Sequence, residues 1–416
     1  MNSYNKTVLP NGIRIISENI PHVQSFSLGF WFDVGSRDEN KKNNGITHFI
    51  EHMLFKGTKK RSSRRIAEEI EAYGGYLNAF TSKENTCYYG RGLISSLPRT
   101  FDVISDMIQN SAFKSAEIKK ETGIVIDELN DINDNPEELI FDKFEEILFA
   151  GNSLSMPIIG TEKNIRGFSQ KDLFSFIDEK YSFNNMLIAA SGNVEHEKLI
   201  RLIDKYFVKD LGHVSIKRKL LNIAPAPDHL IKKSVQQVHM ILGRATYGYK
   251  DKKRITANIL SHILGEGSSS RLFQTIREKN GIAYQINSFL NSFYDVSSFG
   301  IYLSTNTKQS DKAQSLVLNE FKKIREKLVS DKELKKAKEY IKGNIILSLE
   351  STTSRMFRMA NSELYYNRLV TIEELTKMID SVTPKEIIEI ANEILEENYL
   401  TKIIISPSDL TLKSAA

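Results

Sequence analysis

The chain has 416 residues, enough for about two domains or a duplicated unit of roughly 200 residues each, and its 40% apolar and 26% charged residues describe packed globular cores. The formal charge of +5 is small, and Lys and Arg are spread along the chain without a basic block interleaved with aromatics, which speaks against a nucleic-acid partner. The single cysteine, Cys87, excludes an intramolecular disulfide and a four-thiolate zinc site, so any metal must be held by His and carboxylates.

The N-terminus lacks the succession of basic, apolar and small residues of a secretory signal, and no stretch approaches about eighteen apolar residues. A mature chain starting near Met1, no membrane span and a cytoplasmic location are therefore expected. Val8 to Ile16, with a turn at Pro10, Asn11 and Gly12, reads as a hairpin, and Phe26, Leu28, Phe30 and Phe32 alternate as the inward face of a strand. Ile46, Phe49, Ile50, Met53 and Leu54 recur at helical spacing after Asn43, Asn44 and Gly45, which predicts a helix closed by Gly57. A second helix is predicted after Ser62 and Ser63, burying Ile66, Ile70 and Tyr73 and stopping at Gly74 and Gly75. Leu77 to Gly90 returns as strand. Leu97, Phe101, Ile104 and Ile108 mark an amphipathic helix, and Ile118, Thr122, Val125, Leu129 and Ile132 mark the next, entered through Ser115.

Gly212 to Lys233 combines Lys217, Arg218 and Lys219 with Pro225 and Pro227 and reads as a linker, so the spacing predicts two units, 1–220 and 221–416. Past it the order of elements starts again, with a strand at Val235 to Leu242 and an apolar helix containing Ile259, Leu260, Ile263 and Leu264. Setting His52 on His262 also places Leu54 on Leu264, Gly57 on Gly267 and Ile66 on Ile276. The same alignment sets His48 on Asn258 and Glu51 on Ser261, so the second copy lacks two polar groups of the first.

Those groups are the chemical signal. His48 and His52 are four residues apart on a predicted helix, so both imidazoles leave one face and can reach one ion. Glu51 projects from the edge of that face, where a carboxylate serves as a base without filling a coordination position. A His pair alone is equally compatible with a solvated helix face; the His-x-x-Glu-His string is less ordinary. A catalytic zinc site takes three protein ligands. Glu121 and Glu128, seven apart on the helix from Ser115 to Ile132, are the candidates for the third, and spacing alone does not choose between them.

With these residues in place, the chain resembles the inverted-motif zinc peptidases, the family of pitrilysin, insulin-degrading enzyme and the mitochondrial processing peptidase, and by length their roughly 50-kDa bacterial branch. The matching stretches are His48-Phe-Ile-Glu-His52 with Met-Leu-Phe-Lys-Gly-Thr after it, Gly74-Gly-Tyr-Leu-Asn-Ala-Phe-Thr81, Glu121 with Glu128, Gly267-Ser-Ser-Ser-Arg-Leu-Phe, and Ile276-Arg-Glu-Lys-Asn-Gly-Ile-Ala-Tyr284. The resemblance implies one zinc ion (Zn2+) per chain on His48, His52 and Glu128, Glu51 as general base and Glu121 as a supporting carboxylate. It also implies that Leu77, Asn78, Ala79, Phe80 and Thr81 form the edge strand that receives the substrate backbone, and that Arg277 and Tyr284 serve the reacting carbonyl. Glu138 matches a substrate-reading acid of the processing peptidases, whereas Phe141 stands where a further acid is expected. The implied fold is α+β, two homologous halves, each an antiparallel sheet with helices packed on it, closing as a clamshell around extended or unfolded peptides. Relatives of this length pair as homodimers or with an inactive relative. The competing expectation is a non-catalytic peptide-binding or assembly subunit.

Overall fold

The computed structural model describes residues 3–208, 212–214, 216, 218, 220 and 228–407. Its strands are β1 (Ser3–Val8), β2 (Arg14–Asn19), β3 (Ser25–Phe32), β4 (Tyr76–Thr81), β5 (Thr86–Leu93), β6 (Met186–Gly192), β7 (His229–Lys232), β8 (Val238–Tyr247), β9 (Ala283–Ser292), β10 (Val296–Thr305) and β11 (Thr401–Ser406). The helices of the first half are α1 (Ile46–Leu54), α2 (Ser63–Glu71), α3 (Leu97–Asn110), α4 (Ser115–Asp134), α5 (Pro136–Leu148), α6 (Glu162–Gly167), α7 (Gln170–Lys180) and α8 (His196–Tyr206). Those of the second half are α9 (Lys253–Gly265), α10 (Ser310–Glu326), α11 (Asp331–Ser348), α12 (Thr352–Tyr366), α13 (Ile372–Ser381) and α14 (Pro384–Ile394), with a π-helical segment at Phe273–Glu278. No helix among the described residues is long and apolar enough to cross a membrane.

The chain folds as two compact units, Met1–Asn130 with Met156–Lys219 and Ile346–Leu369, and Asp131–Ser155 with Leu220–Ile345 and Val370–Ala416. A single cut at residue 220 does not describe them, because each half of the sequence contributes a helix to the other half's sheet. Helix α5 buries Leu139, Ile140, Phe144 and Leu148 against Ile241, Tyr302, Ile403 and Ile405. Helix α12 buries Met356, Met359 and Ala360 against Ile16, Trp31, Leu187 and Ala189. Helical periodicity shows that such a helix has an apolar face but not which sheet will cover it. Of the expected linker, Lys217, Lys219, Pro225 and Pro227 lie outside the described residues. Arg218 is tied down, 2.9 Å from Asp33 and 2.8 Å from Asp38.

The first sheet has the order β1-β2-β6-β3-β5-β4 and the second β7-β11-β8-β10-β9. Both are mainly antiparallel, as an α+β fold requires, yet each contains one parallel pair, β2 with β6 and β7 with β11. The returning strand arrives after a long helical excursion, and a connection of that length can enter parallel where a tight hairpin cannot. Without β1, the first order and its strand directions repeat those of the second, so the duplication visible in sequence is a duplication of topology. In both sheets the strand after the first helix, β4 or β9, stands at the edge.

Candidate metal centre

The site is built on α1, whose start is fixed from several sides. Gly45 precedes the helix at φ +97°, and a Cβ there would come 2.6 Å from the Ile159 carbonyl oxygen. Gly160, at φ +87°, packs against it; a Cβ on that residue would lie 2.5 Å from the Asn44 carbonyl oxygen. The orphan amides of the first turn go to a buried side chain. Glu39 Oε2 accepts from Gly45 N–H at 2.8 Å and from Asn44 Nδ2 at 2.9 Å, and Oε1 accepts from Thr47 N–H at 2.8 Å. Burial pushes this carboxyl up to about 7 despite those donors.

On the helix so fixed, Phe49, Ile50, Met53 and Leu54 face the core, and His48 and His52 leave the other side with ring centroids 4.6 Å apart. Helix α4 brings both candidate acids to them. Glu121 lies against one edge of the His52 ring, accepting from Nδ1 at 2.9 Å, and its second oxygen accepts from Lys56 Nζ at 2.8 Å. Glu128 faces the other edge, 3.5 Å from His52 Nε2 and 3.6 Å from His48 Nε2. Two turns of one helix thus place a carboxylate on each side of one imidazole.

His48, His52 and Glu128 each offer a ligand atom within 4.8 Å of the others, and they are the one such group of three among the described residues. The 3.5 and 3.6 Å separations are long for hydrogen bonds. Each imidazole Nε2 faces a different oxygen of the one carboxylate, and this set of donors is of the kind that holds zinc. The protonation pattern fits a cation too. Burial, and then the neighbouring His52, push His48 down to about 4, so its ring is neutral. Burial opposes charge on His52 as well, but the Glu121 hydrogen bond and the charges of Glu128, Glu121 and Glu51 outweigh it and raise its pKa. With Nδ1–H donated to Glu121, the Nε2 lone pair of His52 is turned to Glu128.

Glu51 sits between the two histidines in sequence and reaches toward β4, where Thr81 Oγ1 donates to its Oε2 at 2.6 Å. Burial raises its pKa above the usual carboxylate range, with the Thr81 hydrogen bond acting against that shift. Glu51 is therefore joined to Thr81, the last residue of an edge strand. Along β4, Tyr76, Asn78 and Phe80 point to the α12 face, and Leu77, Ala79 and Thr81 point to the α1 face. Ala79 N–H is directed away from β5, since it bonds Asn78 Oδ1 at 2.9 Å instead of a strand partner. The outer side of β4 consequently has backbone groups to offer.

The remaining expected residues lie in the second unit. Arg277, on the π-helical segment, has its guanidinium 4.8 Å from the Phe273 ring centroid and 5.7 Å from that of Tyr284. Tyr284, near the start of β9, is 75% exposed. Glu138 is exposed on α5, where its Oε1 accepts from Asn135 Nδ2 at 2.7 Å. Phe141 packs against Phe289 and Tyr302, an apolar role in place of an acid. Two residues with clear places at the centre escape a reading of the sequence. Lys56 has a signal, its position one turn after His52; Glu39 has none, because the carboxylate that closes a helix start is usually adjacent to it in sequence.

Two family models match the sequence, "Insulinase (Peptidase family M16)" over residues 14–162 and "Peptidase M16 inactive domain" over 167–341. An uncharacterized zinc protease of Streptomyces coelicolor is 35% identical, with 94% of this chain and 87% of that one covered. The uncharacterized zinc protease YmxG of Bacillus subtilis is 34% identical over 96% of this chain and 97% of its own. The chain belongs to peptidase family M16. The fold also occurs in solved structures. A protease from Helicobacter pylori superposes with a TM-score of 0.91 at 22% identity, covering 98% of this chain and 100% of that one. The M16 segment that contains His48, His52 and Glu128, 14–162, is distinct from the segment matched by the inactive-domain model.

Proposed function

We propose that this M16 family member is a zinc-dependent endopeptidase that hydrolyses extended or unfolded peptides. The observation that carries the reading is the convergence of His48, His52 and Glu128 ligand atoms within 4.8 Å, beside a Glu51 tied to an edge strand by Thr81. A zinc ion held by those three residues supplies Lewis acidity, polarising a peptide carbonyl and lowering the pKa of water toward about 7. Glu51 accepts the proton of the attacking water and returns it to the leaving amine, a task suited to a carboxylate whose pKa burial has raised. Glu121 holds the His52 ring in the tautomer that leaves Nε2 free for metal. Leu77 to Thr81 pair with the substrate backbone, which accepts many sequences and favours extended chains. The proposal assigns Arg277 and Tyr284 to the developing oxyanion, where a donor contributes roughly 3 to 4 kcal/mol, and Glu138 to the substrate chain. It also includes pairing, as a homodimer or with a related chain, and a cytoplasmic location.

The test is hydrolysis of quenched fluorescent peptides by the wild type and Glu51→Gln, with zinc content measured on both. Activity with about one zinc per chain, lost in Glu51→Gln while zinc is retained, supports the mechanism. A wild type that binds no zinc and cuts nothing refutes it and leaves a peptide-binding subunit.

A further inference from the structure

The edge strand β4 has two arginines at the end remote from Glu51. Arg91 on β5 is paired in register with Tyr76, so both side chains stand on one face, and its guanidinium lies 5.0 Å from the Tyr76 ring centroid. Arg99, in the first turn of α3, lies 4.7 Å from the centroid of Tyr73, three residues ahead of the strand. Helix α3 covers the opposite face, since a Cβ on Gly90 would meet Thr100 and Ile104. The end of the strand is thus flanked by a cation on each face. All four side chains are exposed, and neither arginine has a carboxylate partner among the described residues. Elsewhere in this unit arginines do find acids, as Arg61 does with Glu69, Asp102 and Asp106.

A peptide added to the outer side of β4 runs about 4.8 Å from it, and its residue opposite Tyr76 stands on the face of Tyr76 and Arg91. The next residue turns to the face of α3 and Arg99. A Glu side chain reaches across that spacing to the Tyr76 ring, over which the Arg91 guanidinium lies. Tyr76 and Thr81 are separated by about 17 Å along a strand, and Thr81 contacts the base. We infer that Arg91 and Arg99 select peptides carrying acidic side chains about four to five residues from the bond that is cut. This rests on the peptidase reading above and adds a substrate class to it. The contacts are solvent-exposed, so each arginine changes binding by a small factor, and the two together favour an acidic peptide over a basic one roughly fivefold to tenfold. The effect appears in KM and shrinks at high salt.

The experiment uses three quenched peptides with a common core and Glu, Gln or Lys pairs four and five residues from the cut on both sides, the cut being located by mass spectrometry. The ratio of kcat/KM for the Glu and Lys peptides is measured on the wild type and on the double variant Arg91→Glu, Arg99→Glu. Wild-type preference for the Glu peptide, reversed in the variant, supports the inference. Equal rates, or a preference the variant leaves unchanged, overturn it. Binding of the same peptides to Glu51→Gln, followed by fluorescence anisotropy, separates the two readings. If no peptide is cut the peptidase reading fails, and the order of the anisotropy affinities then decides the arginine inference alone.

Discussion

Removing the carboxylate that supports His52 should loosen zinc, and the partner of that carboxylate should matter only through it. Glu121 is 3% exposed at its side chain and divides its two oxygens between His52 Nδ1, at 2.9 Å, and Lys56 Nζ, at 2.8 Å. Burial opposes its charge, but these two cationic or donor partners hold its pKa below the usual carboxylate range. Glu121→Gln keeps the shape and loses the negative charge that makes the His52 ring a better ligand, for which a loss of about 10- to 100-fold in zinc affinity is expected. Lys56→Met leaves the charge but removes the group that anchors it, so a smaller loss of roughly threefold to tenfold is expected, with a coupling of about 1 kcal/mol between the two sites. In the Glu121→Gln background there is no carboxylate for Lys56 to hold, and Lys56→Met should then change nothing further. The assay is competition for zinc with a fluorescent chelator at fixed pH, beside urea unfolding of the metal-free proteins. Losses that multiply in the double variant, or a Glu121→Gln protein with wild-type zinc affinity, would refute the coupling.

Thr81→Val removes the hydroxyl that donates to Glu51 and opposes its upward shift, so the acidic limb of the kcat/KM profile should move to higher pH, with a loss of up to roughly tenfold on the acidic side of the limb; an unmoved limb would mean that Thr81 does not tune Glu51. Acidification should release zinc, because the carboxylates around His52 raise its pKa and a proton taken up at Nε2 competes with the metal; the slope expected in the chelator assay is about tenfold in affinity per pH unit below the His52 pKa, and a flat profile would contradict it. Glu39→Ala leaves Gly45 N–H, Thr47 N–H and the Asn44 amide without their acceptor, for a loss of roughly 2 to 4 kcal/mol in unfolding experiments. Because burial lifts Glu39 from 4.5 to about 7, its stabilising contribution is complete below pH 4.5 and declines as pH rises through about 7. The gap between wild type and Glu39→Ala should therefore narrow by about 3 kcal/mol from pH 4.5 to pH 8, and a gap that widens would reverse the assigned direction of the shift.

What was legible in the sequence is what short-range geometry determines. The spacing of His48 and His52 is one helical turn, the apolar residues of α1 define its buried face, and Ser62 caps α2 through Arg65 N–H as its position suggests. Spacing could not choose between Glu121 and Glu128, because both meet the same imidazole and only the edge of the ring each approaches separates the roles. Tyr73 falls on the apolar spacing of α2 yet is 49% exposed, with Arg99 over its ring. It lies past the end of the helix, where the periodicity that predicts burial no longer applies. The exchange of α5 and α12 between sheets was invisible for a related reason, since choosing a covering partner depends on contacts hundreds of residues apart.

The two copies show how few side chains separate the candidate metal-binding helix from its counterpart. Helices α1 and α9 follow equivalent strands and precede equivalent edge strands. His262, the counterpart of His52, is retained in α9, but its Nδ1 lies 3.4 Å from Glu266, the residue that follows the helix, and its ring stacks on Tyr340 at 4.6 Å. Asn258 and Ser261 stand where the first copy has His48 and Glu51, and the Ser261 carbonyl accepts from Ser288 Oγ. A lone imidazole stacked on a phenol ring faces one acid, whereas in the first copy two imidazoles face one carboxylate at 3.5 and 3.6 Å, in surroundings that keep His48 neutral. The fold supplies the helix and the edge strand twice. The proposed chemistry requires that the helix also carry a second ring and a carboxylate, and that a neighbouring helix bring an acid to each side of His52, and the first copy alone has these groups among the described residues.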